Sequence, residues 1–179
     1  MRGRQTLPSL WLISDERNDA GLERALKRLP RGSGFIYRHY HLEPHERVAR
    51  WFALRDVART REHWTILADS ALTALEWGAH GVYGAPRSLW PTRGLITLAT
   101  AHDLADIALA NLKKADAVLL SPVFATRSHP QAETLGPSRF RLMAAHAEMP
   151  VIALGGMTAH RARRLRWPHW AAIDGLTYP

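Results

Sequence analysis

Eight short apolar runs, most of them unbroken by polar residues, alternate with segments of helical period along nearly all of this 179-residue chain. A run that is apolar at every position suits a strand covered on both faces, as in a parallel sheet with helices packed on it. The expected strands are Leu10–Ser14, Phe35–Arg38, Thr65–Asp69, Gly81–Gly84, Leu95–Thr100, Ala117–Pro122, Val151–Gly156 and Ala171–Gly175. Helix starts fall between them. Pro44 suits the first turn of a helix that buries Val48, Trp51, Phe52 and Ala58. Asp103 can cap a helix with Leu104, Ile107, Ala108 and Leu112 on one face, and Ser70 and Thr158 are candidate caps for two more.

Strand–helix alternation with short links favours parallel pairing and right-handed crossovers. Eight strands point to an α/β fold of the compact (β/α)8 TIM-barrel type, with an open doubly wound sheet as the alternative. The length is below the ~200 residues usual for such barrels, and two economies account for it. Ala85 to Gly94, with Pro86 and Pro91, reads as a loop in place of a helix. Only Leu176 to Pro179 follow the last strand, so the eighth helix is expected to be lacking. A homodimer would cover that end. No repeat, low-complexity tract or linker divides the chain, so residues 1–179 are expected to form one domain.

Cysteine is absent, which excludes disulfides, thiolate metal sites and cysteine nucleophiles and is compatible with a cytoplasmic location. No apolar run reaches the ~18 residues of a membrane span, so no membrane partner is expected. The net charge of +8 raises nucleic acid as a partner, but zinc-finger spacing and ribonucleoprotein signatures are missing. Arg47, Arg50, Arg55 and Arg59, like Arg161, Arg163, Arg164 and Arg166, read instead as solvated helix faces. A positive surface also gathers small anionic substrates near a cleft.

In either α/β architecture, functional residues gather at the C-terminal ends of the strands. Gly155-Gly156-Met157-Thr158 follows an apolar strand and opens a helix. Adjacent glycines let backbone N–H groups approach an anion, although a tight turn alone would also need them. In the loop Pro122 to Pro130, the hydroxyls of Thr126 and Ser128 join Arg127 and His129. That set suits phosphate or pyrophosphate, or an ordinary surface loop. His102, just past the fifth strand, is a candidate general acid/base or a helix-start residue. His39, His41 and His45 make no convincing zinc site, because Pro44 interrupts a helix there and no carboxylate completes the set.

Taken together, these segments resemble the thiamine phosphate synthase/TenI family over nearly the whole chain. Ala115-Asp116-Ala117-Val118-Leu119-Leu120-Ser121-Pro122-Val123-Phe124-Ala125-Thr126 is similar to the family's GADYIxxGPVFxT segment, and Leu135-Gly136 to the Leu-Gly closing that loop. Pro150 to Thr158 resembles its PVxAIGGI/M phosphate loop, and Thr100-Ala101-His102 its Ser-x-His. Gly78 to Tyr83 and Leu67-Ala68-Asp69 match GADGVHL and Ile-Asn-Asp. The resemblance implies a (β/α)8 barrel that couples a hydroxymethylpyrimidine diphosphate to a thiazole phosphate, releasing pyrophosphate with Mg²⁺. By the same resemblance, Gly155 and Gly156 hold a phosphate and Arg38, Thr126, Ser128 and His129 surround pyrophosphate. Asp69 carries Mg²⁺ and Thr100 contacts substrate, while Tyr37, Tyr40 and Tyr83 either supply an aromatic wall or pack in the core or rim.

The departures bear on activity. The family's Gln-Leu-Arg-x-Lys becomes Ile36-Tyr37-Arg38-His39-Tyr40, which keeps only the arginine. The second Mg²⁺ aspartate falls on Ser88, the loop lysine on His129, and the final Ile-Ser pair on Asp174-Gly175 or its neighbours. One carboxylate holds Mg²⁺ poorly, so the expected transferase is weak or retuned. A TenI-like thiazole tautomerase working through His102, and a non-catalytic barrel binding a phosphorylated ligand, are the alternatives.

Overall fold

Strands β1 (Leu10–Ile13), β2 (Gly34–Tyr37), β3 (Trp64–Leu67), β4 (Gly81–Gly84), β5 (Ile96–Ala101), β6 (Ala117–Leu120), β7 (Val151–Ala153) and β8 (Trp170–Ala172) pair in chain order. Each pairing is parallel, and β8 returns to β1 through Leu10 opposite Trp170, which closes the barrel. This computed structural model describes residues 6–89, 92, 94–127 and 133–177. The helices on the outside are α1 (Leu22–Arg28), α2 (Pro44–Thr60), α3 (Ala71–Glu76), α4 (Leu104–Lys113), α5 (Gly136–Ala144) and α6 (Ala159–Leu165). Among the described residues no helix separates β4 from β5, and β8 runs into a single 3-10 turn, Asp174–Leu176. Among the described residues, no helix is long and apolar enough to cross a membrane.

Unbroken apolar strands are explained by a two-sided core. Alternate side chains point into the barrel, where Trp11, Ile13, Ile36, Ile66, Leu98, Leu119 and Ile152 pack together. Those between them, such as Leu12, Phe35, Leu67, Val118 and Leu120, pack under the helices. Trp11 occupies the barrel interior and donates its ring N–H to Pro8 O at 2.8 Å. Gly34 makes room for it, since a Cβ there would lie 2.0 Å from the indole.

The helix starts follow the expected chemistry. Asp103 accepts from Asp106 N at 2.8 Å, Ser70 from Thr73 N at 3.1 Å and Thr158 from Arg161 N at 3.2 Å. The face expected to be buried on α4 is corrected. Ile107 and Ala110 are buried, whereas Leu104, Ala108 and Leu112 are exposed. With so many apolar residues around this helix, periodicity alone did not fix which side meets the strands.

The rim between β8 and β1 is tied by Asn18, in the 3-10 turn Glu16–Gly21. Its fully buried amide donates to Ile13 O at 3.0 Å, Ile173 O at 3.2 Å and Thr177 Oγ1 at 3.3 Å. Arg28 adds a bond to Thr177 O at 3.3 Å. These bonds cover the seam between β8 and β1. Replacing Asn18 by Ala removes the amide donor to Ile13 O and leaves Ile173 O only its bond from Thr177 Oγ1, and is expected to cost about 1–3 kcal/mol, read as a lowered urea midpoint. An unchanged midpoint would remove Asn18 from this role.

Burial also sets the response to acid. His63 donates Nε2–H to Leu26 O at 2.8 Å, and His80 Nδ1 accepts from Thr65 N at 2.9 Å. Desolvation holds both imidazoles below their ordinary value of 6.5. Glu23 is held below 4.5 by its hydrogen bond from Arg50. For Asp19, burial pushes up, but bonds from His39 and Arg50 outweigh it and keep the carboxyl below 3.8. Both kinds of group take up protons more readily in the unfolded chain. Stability should therefore be complete above about pH 6.5, decline as the histidines protonate and fall again once the carboxylates do. A urea midpoint that stays constant from pH 7 to pH 5 would contradict the histidine part.

Candidate functional site

A cleft of about 660 Å³ opens at the C-terminal ends of the strands. Its walls come from the loops after β2, β4, β5, β6, β7 and β8, which is where a parallel barrel leaves loop chemistry free of packing duties. Arg38, Tyr83, Thr100, His102, Thr126, Gly155 and Gly156, each expected from sequence, line it together. Ser128 and His129 lie outside the described residues.

Backbone bonds hold the two main loops against each other. Val123 N donates to Leu154 O at 2.8 Å and Phe124 N to Gly155 O at 3.1 Å. Gly155 and Gly156 have φ of +97° and +59°, in the left-handed region. Side chains there would meet Pro122 Cα at 2.6 Å and Ala125 O at 2.3 Å. Close packing and backbone conformation therefore both demand glycine. Among the described residues, the N–H groups of Gly155, Gly156 and Met157 meet no protein acceptor. Neighbouring N–H groups left open beside a cleft form a cradle for an anion.

The charges around the cleft fit that use. Arg38, Arg127 and Arg161 line it, against Asp174 as the one carboxylate among the lining residues. Arg161, which the sequence suggested was on a solvated helix face, donates to Gly156 O at 2.5 Å and lies 5.1 Å from the Phe124 ring centroid. A signal for it exists: it stands in the first turn of α6, where a cation opposes the helix dipole and needs another partner.

His102 donates Nδ1–H to Ser121 O at 3.0 Å, and its backbone N–H is held by Asp106 at 3.0 Å. In the neutral ring, this bond selects the tautomer in which Nε2 is the nitrogen able to accept a proton. Burial pushes the Tyr83 hydroxyl up to about 12, so it remains a donor at neutral pH.

Two expected site residues are displaced. Tyr37 does not form part of a ligand wall. It faces outward from β2, fully buried against Trp51, with its hydroxyl donating to Arg47 O at 2.9 Å. The two-residue alternation explains this, since Ile36 takes the inward position. Asp69 sits at the end of β3 but outside the cleft lining. Its Oδ2 accepts from Arg47 Nη1 at 2.6 Å and its Oδ1 from Ser70 N at 2.7 Å. Burial raises its pKa, and the Ser70 and Arg47 bonds more than reverse that.

The donor set does not fit Mg²⁺. Both Asp69 oxygens are engaged, and Ser88 Oγ donates to Ala85 O at 3.0 Å. Among the described residues, no group of three His, Cys, Asp or Glu side chains could hold a metal ion. Arg47, another first-turn arginine, fills the cationic role beside Asp69. Replacing Gly156 by Ala is expected to cost about 1–3 kcal/mol in backbone strain and to close the cradle. Denaturant melts together with titration of inorganic phosphate check this, and wild-type behaviour in both would contradict it.

The profile of the thiamine monophosphate synthase family (TMP-TENI) matches residues 10–173. The Aquifex aeolicus protein named "Putative thiamine-phosphate synthase 2" is 28% identical over 161 residues, 85% of this chain and 87% of that protein. A thiamine-phosphate synthase of Chloroflexus aurantiacus is 29% identical over 150 residues, 78% of this chain and 67% of the other. Among solved structures, thiamine phosphate pyrophosphorylase from Pyrococcus furiosus superposes with a TM-score of 0.77 at 23% identity, covering 93% of this chain and 85% of that one. The YdjI aldolase of Escherichia coli shares the barrel at a TM-score of 0.64 but only 9% identity, covering 93% of this chain and 75% of that one. With the family profile matched across almost the entire sequence, the chain belongs to the thiamine monophosphate synthase family.

Proposed function

We propose that the cleft couples a hydroxymethylpyrimidine diphosphate to a thiazole phosphate, with arginines rather than a carboxylate-held metal neutralising the departing pyrophosphate. The observation that carries this reading is the meeting of an open N–H cradle and three guanidinium groups in one cleft of a synthase-family barrel. In the reaction, the bond between the pyrimidinylmethyl carbon and the diphosphate oxygen breaks, and its electron pair leaves with pyrophosphate. The thiazole nitrogen lone pair then forms the new C–N bond. Negative charge grows on the leaving oxygen, where Arg38, Arg127 and Arg161 can offer forked N–H donors. Gly155 and Gly156 would seat the acceptor's phosphate, and Tyr83 would bound the rings.

The test is formation of thiamine phosphate from the two substrates, with and without a Mg²⁺ chelator. Product is expected in both, and Arg38→Ala should lower kcat about a hundredfold. No product from folded protein would reject the transferase.

His102 favours a second reading. With Nδ1 committed to Ser121 O, its Nε2 is the right tautomer to move a proton on a thiazole ring. A tautomerase would lose its activity in His102→Asn, whereas a transferase would keep most of it. Measuring both reactions in that variant separates the two.

A further inference from the structure

We infer that His39 is a positioning residue for Arg38, acting through Ser14 rather than touching any ligand. Ser14 Oγ accepts from Arg38 N at 2.8 Å and lies 2.9 Å from His39 Nδ1, while His39 Nε2 lies 2.6 Å from Asp19 Oδ1. These partners allow one direction of donation. The Asp19 carboxylate can only accept, so Nε2 carries the proton and Nδ1 is an acceptor. Ser14 therefore donates its hydroxyl hydrogen to Nδ1 and turns a lone pair toward Arg38 N–H. Arg50 completes the line by donating to Asp19 at 2.7 Å. Desolvation keeps the ring neutral by lowering its pKa, outweighing the pull of Asp19.

The Arg38 peptide is gripped from its other side as well, because Arg47 Nε donates to Arg38 O at 3.1 Å. With both ends of the residue fixed, its guanidinium leaves a rigid backbone and enters the cleft. The order Ser14–His39–Asp19 is also that of a nucleophilic triad. Ser14 is fully buried, however, and does not line the cleft, so no acyl group reaches its oxygen. His39 adopts a left-handed backbone with φ of +39°, a conformation Asn tolerates well.

This inference rests on the reading that Arg38 meets the pyrophosphate, and two substitutions separate its parts. Asn places an acceptor oxygen near the Nδ1 position and preserves the Ser14 bond. Gln reaches Asp19 but withdraws that acceptor. His39→Gln is expected to weaken binding of inorganic pyrophosphate about tenfold, while His39→Asn stays close to wild type. In an Arg38→Ala background, His39→Gln should have no further effect, which a merely structural role would not produce. Amide exchange at Arg38, which needs no ligand, should quicken in His39→Gln and Ser14→Ala and stay slow in His39→Asn. Unchanged exchange in His39→Gln, or an equal loss of pyrophosphate affinity with and without Arg38, would overturn the inference. If the wild type binds no pyrophosphate, the functional reading fails while exchange at Arg38 still decides the part played by His39.

Discussion

The guanidinium of Arg47 is where the helix layer, two strand ends and the wall of the cleft are joined. Its side chain is 12% exposed, and its three nitrogens donate to Arg38 O, Asp69 and Ala68 O. The rings of Tyr37, Tyr40 and Trp77 lie 5.4 to 5.9 Å from it. A charge so far from water is tolerable only with a counter-ion and a complete set of acceptors. Asp69 is that counter-ion. The aspartate that looks from its position like a metal ligand is thus accounted for by the cation already beside it.

In the proposed reaction, fixed guanidinium groups would do the work of a mobile ion. A metal can enter the coordination sphere of a phosphate oxygen and act as a Lewis acid. Guanidinium groups cannot, but they offer planar, paired donors whose direction is set by the fold. Chemistry based on them depends on how firmly the backbone beneath each arginine is held. The hydrogen bonds behind Arg38 matter for that reason, although none of the groups making them borders the cleft.

Much of the barrel was legible because strands buried on both faces leave an apolar signature that few other folds impose. The glycine pair was legible too, since closeness to Pro122 and Ala125 and left-handed backbone angles admit little else. Tyr37 was not. Whether a strand residue points in or out depends on register, and a uniformly apolar strand hides its register. Arg47 was read as solvent-facing because charge patterning cannot distinguish a hydrated arginine from one aimed inward over a strand end, whereas Arg161 is exposed as expected and also borders the cleft. Their placement in the first turn of a helix was the available clue. The pairing of His39 with Ser14 and Asp19 left no local pattern, because it forms only when the ends of β1 and β2 come side by side.

The Trp11 indole, seated where Gly34 yields space, has a kinetic consequence. It helps make the barrel a solid floor rather than a channel. Molecules that enter the cleft must leave by the mouth they came through. For the two-substrate reaction proposed, the reactant seated deeper would then have to arrive first, and an excess of the outer one could leave its partner's place empty.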